Sequence, residues 1–177
     1  MLCTKTRKIL PKALFFLLTL FFFSCSKKAV STTTSSSRLT EKAKAKVSSS
    51  SSKADKVIAE AKSYYGTKYK YGGSTSSGID CSGLMCKSFS AVGITLPRVS
   101  RDQSNVGKRV YIGELKKGDL IFFAATKGSQ KIIHVGLISY VTKSTIKFLH
   151  SSSSKGVIES ELSTYWRDRY VKATRPL

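Results

Sequence analysis

Acidic side chains, prolines, histidines and long apolar runs are all scarce in this chain. Its 177 residues hold 10 Asp+Glu against 31 Lys+Arg, with three prolines, twelve glycines and two histidines. So little proline and glycine excludes a collagen-like or proline-rich chain. The four cysteines, Cys3, Cys25, Cys81 and Cys86, are unevenly spaced, and with His134 and His150 they cannot make the paired ligand spacing of a zinc ribbon or finger. The apolar run ALFFLLTLFFF, Ala13 to Phe23, is eleven residues long, about half of what a spanning helix needs. What is present, 41% hydrophobic and 10% aromatic residues, is too apolar for a wholly disordered chain and suits about one ordinary domain. The net charge of +21 favours anionic partners: nucleic acid, phospholipid head groups or anionic wall polymers.

The short apolar run follows Lys5, Arg7, Lys8 and Lys12, which makes it the core of an export signal. It ends FFFSC, and a Cys after a small residue at that place resembles the lipobox of bacterial lipoproteins. The expectation is a signal peptide over residues 1–24 and a lipid on Cys25. Ser26 follows Cys25 where an inner-membrane retention signal has Asp, so the expected location is exported and lipid-anchored, at the outer membrane facing the periplasm. An exported address and the lack of any base-reading motif argue against nucleic acid. From Ser26 to Lys53 half of the 28 residues are Ser or Thr and none is aromatic, so residues 25–53 read as a flexible basic tether. Residues 54–177 are long enough for one compact core.

Within that domain, Val57, Ile58, Ala61 and Tyr65 repeat at helical spacing over Asp55–Tyr65, and Gly66 ends the pattern. A Gly-rich stretch, KYKYGGSTSSGID, reads as loop. Cys81, Met85, Phe89 and Val92 form one stripe of a second helix over Cys81–Val92. Ser100 to Val106 reads as a short third helix with Ser100 as its cap. After KKGD the pattern turns to period two: DLIFFAA, KIIHVGLISYV, STIKFLHS, GVIESEL and RYVKATRP are strands. Helices first and strands later predict an α+β domain, with N-terminal helices packed on a small antiparallel β-sheet.

Three features converge on thiol chemistry. Cys81 starts a helix, where the dipole and free N–H groups lower a thiol pKa and can hold an oxyanion. His134 alternates in phase with Ile132 and Ile138, and His150 with Ile146 and Phe148, so adjacent strands place both imidazoles on the core side beside the helix start. After signal cleavage Cys81 and Cys86 remain as thiols, and five residues apart on one helix they do not pair with each other. A thiol, a proton-carrying imidazole and a third polar group make up a Cys-His-X apparatus for acyl transfer. Arg98, Arg101 and Asp102 read as exposed ion pairs, and Tyr165 with Trp166 as a packed helical turn.

The stretches YKYGGSTSSGIDCSGLMC, LPRVSRDQ, LKKGDLIFF, HVGLIS and FLHSSSSKGVIES, in this order, resemble the NlpC family of papain-like cell-wall cysteine endopeptidases, lipoprotein branch. The resemblance implies a circularly permuted papain-like fold and hydrolysis of amide bonds in peptidoglycan stem peptides, between γ-D-glutamate and the diamino acid. It implies Cys81 as nucleophile, His134 as base and then acid, and His150 as the orienting residue. By the same motifs Tyr71 is a pocket residue whose hydroxyl helps hold the oxyanion, and Asp80 and Ser82 line the substrate pocket, Asp80 facing a cationic group of the stem. Ser100 matches a pocket position, while Val99 stands where the family more often has Ser or Thr. No metal or organic cofactor is required, and the expected state is a monomer. The competing readings are a D,D-endopeptidase of cross-links and a non-catalytic wall-binding lipoprotein.

Overall fold

The computed structural model describes residues 52–177; the expected signal peptide, Cys25 and nearly all of the expected tether lie outside the described residues. Helix α1 runs Lys53–Lys62. It starts two residues before the predicted point because Ser52 and Asp55 form a reciprocal capping box, Ser52 Oγ accepting from Asp55 N at 3.1 Å. Its Val57, Ile58 and Ala61 are buried, as the periodicity requires. Strands β1 (Ser74–Thr75) and β2 (Gly78–Ile79) form a small hairpin inside the Gly-rich stretch, where the glycines predict loop throughout. Helix α2 spans Cys81–Ser90, with Cys81, Met85 and Phe89 all buried. Helix α3 is a single turn, Ser100–Gln103, shorter than predicted.

Next come β3 (Lys108–Val110), a 3₁₀ turn at Ile112–Glu114, β4 (Leu120–Ala124), β5 (Ile132–Val141), β6 (Ile146–Ser152), β7 (Gly156–Glu161), the helical turn α4 (Thr164–Arg167) and β8 (Tyr170–Arg175). All five predicted strand segments are present. The edge strand β3 is not predicted by the pattern, because its KRV carries no two-period signal. The sheet order is β3-β8-β4-β5-β6-β7, antiparallel throughout. The domain is α+β.

The sheet buries side chains on both faces. Leu120, Phe122, Val135, Leu137, Leu149 and Val157 pack with α1 and α2. Ile121, Phe123, Ile138, Phe148 and Ala173 form a second cluster with Val110, Leu115 and Leu162, covered in part by Trp166. Asp119 of KKGD closes the end of this layer: it is fully buried and takes a two-pronged bond from Arg175, 2.7 Å to Oδ1 and 2.8 Å to Oδ2.

Candidate active site

Asp80 precedes α2 as its N-cap and organises everything around the helix start. Its Oδ1 accepts from Gly83 N at 2.7 Å and its Oδ2 from Gly72 N at 2.8 Å. Arg98 grips the same carboxylate with both prongs, 2.9 Å to Oδ1 and 2.6 Å to Oδ2, and also reaches Ser82 Oγ at 2.8 Å and Gly73 O at 3.1 Å. Burial alone would raise the Asp80 pKa, but the Arg98 bonds and charge with the two backbone N–H groups bring it below the ordinary carboxylate value. This changes two expectations. Asp80 faces Arg98 of its own chain rather than a cationic substrate group, and Arg98 is a half-buried partner rather than a surface charge. Arg101 and Asp102 do form the exposed pair expected of them, at 3.5 Å. Ser82 is buried in the same network.

The glycines of YGG and DCSG have a steric reason. A Cβ on Gly83 would run into the Gly73 carbonyl oxygen, and one on Gly73 into the Gly78 carbonyl. The loop lies directly on the helix start, and only glycine permits that approach.

Cys81 is the first residue of α2 and a free thiol, 7% exposed. Cys86 is disulfide-bonded in the structure, whereas the expectation of two thiols concerns the chain after signal cleavage. The backbone N–H groups of Val135, Ser82 and Cys81 itself point at the Cys81 sulfur and lower its pKa, but burial outweighs them, and with the Asp80 charge it leaves the thiol pushed up to about 11. The expected lowering by the helix start is therefore reversed in the free protein: desolvation of a thiolate costs more than one helix end returns. Since only the thiolate is alkylated, modification of Cys81 by iodoacetamide, followed by peptide mass spectrometry, is expected to quicken about tenfold per pH unit from neutrality towards about pH 11. A rate already at plateau near neutrality would show a preformed ion pair instead.

The imidazoles meet as expected. His134 Nε2 lies 2.9 Å from His150 Nδ1, and His150 Nε2 lies 2.9 Å from Ser160 Oγ. They share the face of Ile138, Ile146 and Phe148, as the alternation predicts, and Ile132 alone leaves it. A bulge in the β4–β5 pairing, with Phe123 opposite His134 but Ala124 opposite Ile132, breaks the alternation. Ile132 packs with the helices, whereas His134 and His150 lie with Phe123, Phe148 and Trp166. Trp166 stacks on His134 at 5.7 Å and 20° and meets His150 edge-on at 5.1 Å. Burial holds His134 at about 4; burial and then the His134 charge hold His150 at about 3.

Two backbone links bring the thiol and the imidazoles together from opposite faces. The Val135 N–H directed at Cys81 belongs to the residue after His134. Ser151, the residue after His150, donates to Ile79 O at 2.8 Å, two residues before Cys81. His134 and His150 line a cavity of about 370 Å³ together with Tyr69, Tyr165, Trp166 and Arg169.

Tyr71 does not join them. It is 90% exposed, on the turn that follows the backbone bridge between Tyr69 and Ile79. Tyr69 is the tyrosine beside Cys81: burial first, then the negative charges of Cys81 and Asp80, raise its pKa, so it stays a protonated donor. The near-repeat KYKYGG hides which tyrosine faces inward, because the bridge that decides it is not local. Ser100 is buried as the first residue of α3, but Val99 holds the cap position and no side chain caps the helix; the cap reading of Ser100 fails. Ser160 had no sequence signal, since its place depends on the β6–β7 register that sets it opposite Phe148, two residues from His150.

A two-imidazole chain behind a helix-start thiol, with YGG and DCSG interlocked, is a specific arrangement, and comparison with known proteins places it. Residues 66–175 match the model of the NlpC/P60 family. The chain is 40% identical over 130 residues to a probable endopeptidase NlpC homolog of Haemophilus influenzae, covering 72% of this chain and 66% of that protein. It is 40% identical to the bifunctional muramidase/DL-endopeptidase CwlT of Bacillus subtilis, covering 67% of this chain and 35% of that one. It is also 40% identical to murein DD-endopeptidase MepS/murein LD-carboxypeptidase of Escherichia coli, covering 63% of this chain and 57% of that one. The crystal structure of an NlpC/P60 family protein from Bacillus cereus superposes with a TM-score of 0.63 at 34% identity, over 70% of this chain and 40% of that one. The match takes in every element from the YGG loop to β8 and so the whole of the site just described: the chain belongs to the NlpC/P60 family.

Proposed function

We propose that this protein is a cysteine endopeptidase that hydrolyses amide bonds in peptidoglycan stem peptides. The observation that carries the proposal is the hydrogen-bonded line His134–His150–Ser160 set against the free thiol of Cys81. With a proton on His134 Nε2 donated to His150 Nδ1, and one on His150 Nε2 donated to Ser160 Oγ, each bond of the line has one donor and one acceptor. His134 Nδ1 is then the unprotonated nitrogen.

Thiol and imidazole both rest neutral, so Cys81 gives its proton to His134 Nδ1 as the sulfur attacks the amide carbon. The oxyanion meets the Tyr69 hydroxyl and the N–H groups at the start of α2. As the C–N bond breaks, the imidazolium returns its proton to the leaving amine, and a thioester remains. Water, deprotonated by His134, then attacks the thioester; Cys81 leaves as thiolate and recovers the proton. His150 orients His134 and, being neutral, stabilises the imidazolium less than a carboxylate would.

The bond favoured is γ-D-glutamyl–diamino acid, the D,L class named in the Bacillus subtilis relative. The second reading is D,D cleavage of cross-links, favoured by the Escherichia coli relative. The lipid on Cys25, the basic tether and an outer-membrane address complete the proposal: a monomeric enzyme held within reach of the wall.

The test is digestion of purified peptidoglycan by the full chain and by Cys81→Ser, with products identified by mass spectrometry. Soluble fragments from the Cys81 form alone are expected, and their new termini name the bond. Equal release by both forms would end the thiol mechanism, and an intact wall with both would favour wall binding without cleavage.

A further inference from the structure

The cavity beside the imidazoles holds a cation that the proposed chemistry leaves unused. Arg169, at the junction of α4 and β8, lines it together with His134. Its Nε donates to Ala125 O at 3.2 Å and its Nη1 to Tyr165 O at 3.0 Å. The guanidinium carbon sits 3.8 Å from the centroid of the Tyr165 ring. These three contacts are with neutral groups. They fix the plane of the guanidinium but leave its charge uncompensated and Nη2 without a bond among the described residues. No carboxylate pairs with Arg169 there: the adjacent Asp168 is engaged by Lys127 at 3.2 Å, and no Asp or Glu lines the cavity. Elsewhere in the domain the partly exposed arginine forks, Arg98 and Arg175, each hold a carboxylate of the chain itself. Arg169 is built the same way with the acid missing.

The direction of proton transfer says which part of a substrate comes here. An imidazole that protonates the leaving amine must lie within hydrogen-bond reach of it, so the amine half of the scissile bond departs on the His134 side. The acyl half stays on Cys81, next to the closed Asp80–Arg98 pair. We propose that this cavity is the subsite for the residue on the amine side of the scissile bond, and that Arg169 binds a carboxylate carried by that residue. This rests on the endopeptidase reading and adds its leaving-group specificity. A planar fork held at a fixed orientation suits a carboxylate better than a hydroxyl or an amide, since two parallel N–H groups meet two oxygens. The hydroxyls of Ser152, Ser153 and Ser154 along the same wall offer further donors.

The experiment compares kcat/KM of the full chain on matched γ-D-glutamyl peptides whose leaving residue carries either a free carboxylate or its primary amide. One pair varies the main-chain end and a second varies the side chain, which separates the two sources of the carboxylate. The wild type is expected to prefer the carboxylate at one position by about tenfold or more. Arg169→Gln should collapse that ratio and Arg169→Lys should retain part of it. Equal rates on carboxylate and amide at both positions, a result needing no variant, would overturn the proposal, as would a preference that survives Arg169→Gln. If the wild type cleaves none of the peptides, the endopeptidase reading fails on its own, and equilibrium binding of the free leaving halves decides the subsite. Carboxylate-dependent binding lost in Arg169→Gln supports it; binding indifferent to the carboxylate or to Arg169 overturns it.

Discussion

Alanine at His134 is expected to lower kcat by about a hundredfold to ten-thousandfold, the range that a positioned proton carrier supplies. The chain's one other imidazole, His150, is held by Ser160 behind the vacated position and does not replace the ring that faced the thiol. His150→Ala should cost less, on the order of tenfold to a hundredfold, since it removes orientation and not the proton carrier; single-turnover kinetics on one peptide compares the two. Equal losses would give His150 a share in proton transfer.

The same pair has a pH signature. Its members are held at about 4 and about 3, below the 6.5 of a free imidazole, so both bases stay neutral and active well into acid. The acid limb of kcat/KM is expected near pH 4 rather than near 6.5. Stability moves with it. A histidine whose folded pKa is depressed takes up protons first in the unfolded chain, so stability is full above about 6.5 and falls as pH drops towards the folded value. At about 1.4 kcal/mol per unit, His134 accounts for on the order of 3 kcal/mol of that loss.

Asp80→Ala is expected to be the most damaging change outside the reacting atoms, destabilising the domain by about 3 kcal/mol or more. The substitution removes the cap of α2, frees Gly72 N and leaves the Arg98 guanidinium without its counter-charge beside Gly73 O. Asp80→Asn should cost less, because an amide oxygen still accepts from Gly83. Urea denaturation above pH 5 measures both, and the difference between them isolates the ion pair. The Asp80 carboxylate has a lowered folded pKa, so its contribution is complete above the ordinary carboxylate value and is lost as pH falls through the folded one. A wild-type-like midpoint for Asp80→Ala would mean that the YGG loop holds α2 by packing alone.

Much of the fold was legible because it is written in short periods. The stripe from Cys81 to Phe89 and the alternation of the five strand segments depend on neighbours within a few residues, and the structure retains both. The pairing of His134 with His150 followed from the same alternation on adjacent strands. The DCSG and YGG motifs pointed to a thiol at a helix start, and their glycines have a steric cause that the sequence states only as identity.

Tertiary structure decided what no local pattern records. One extra residue at the β4–β5 bulge moved Ile132 off the imidazoles' face, and Trp166, thirty-two residues after His134, covers that face. The bridge between Tyr69 and Ile79 chose Tyr69 over Tyr71. Arg98, eighteen residues after Asp80, turned a candidate substrate contact into an internal ion pair. Burial reversed the direction of the thiol pKa. Each of these depends on atoms distant in the chain meeting where water is excluded, and desolvation, register and charge pairing are set by that meeting. Residue types and local periods determined the chemistry available to this protein; the packing of two layers on one sheet determined which residues carry it and in what state of protonation.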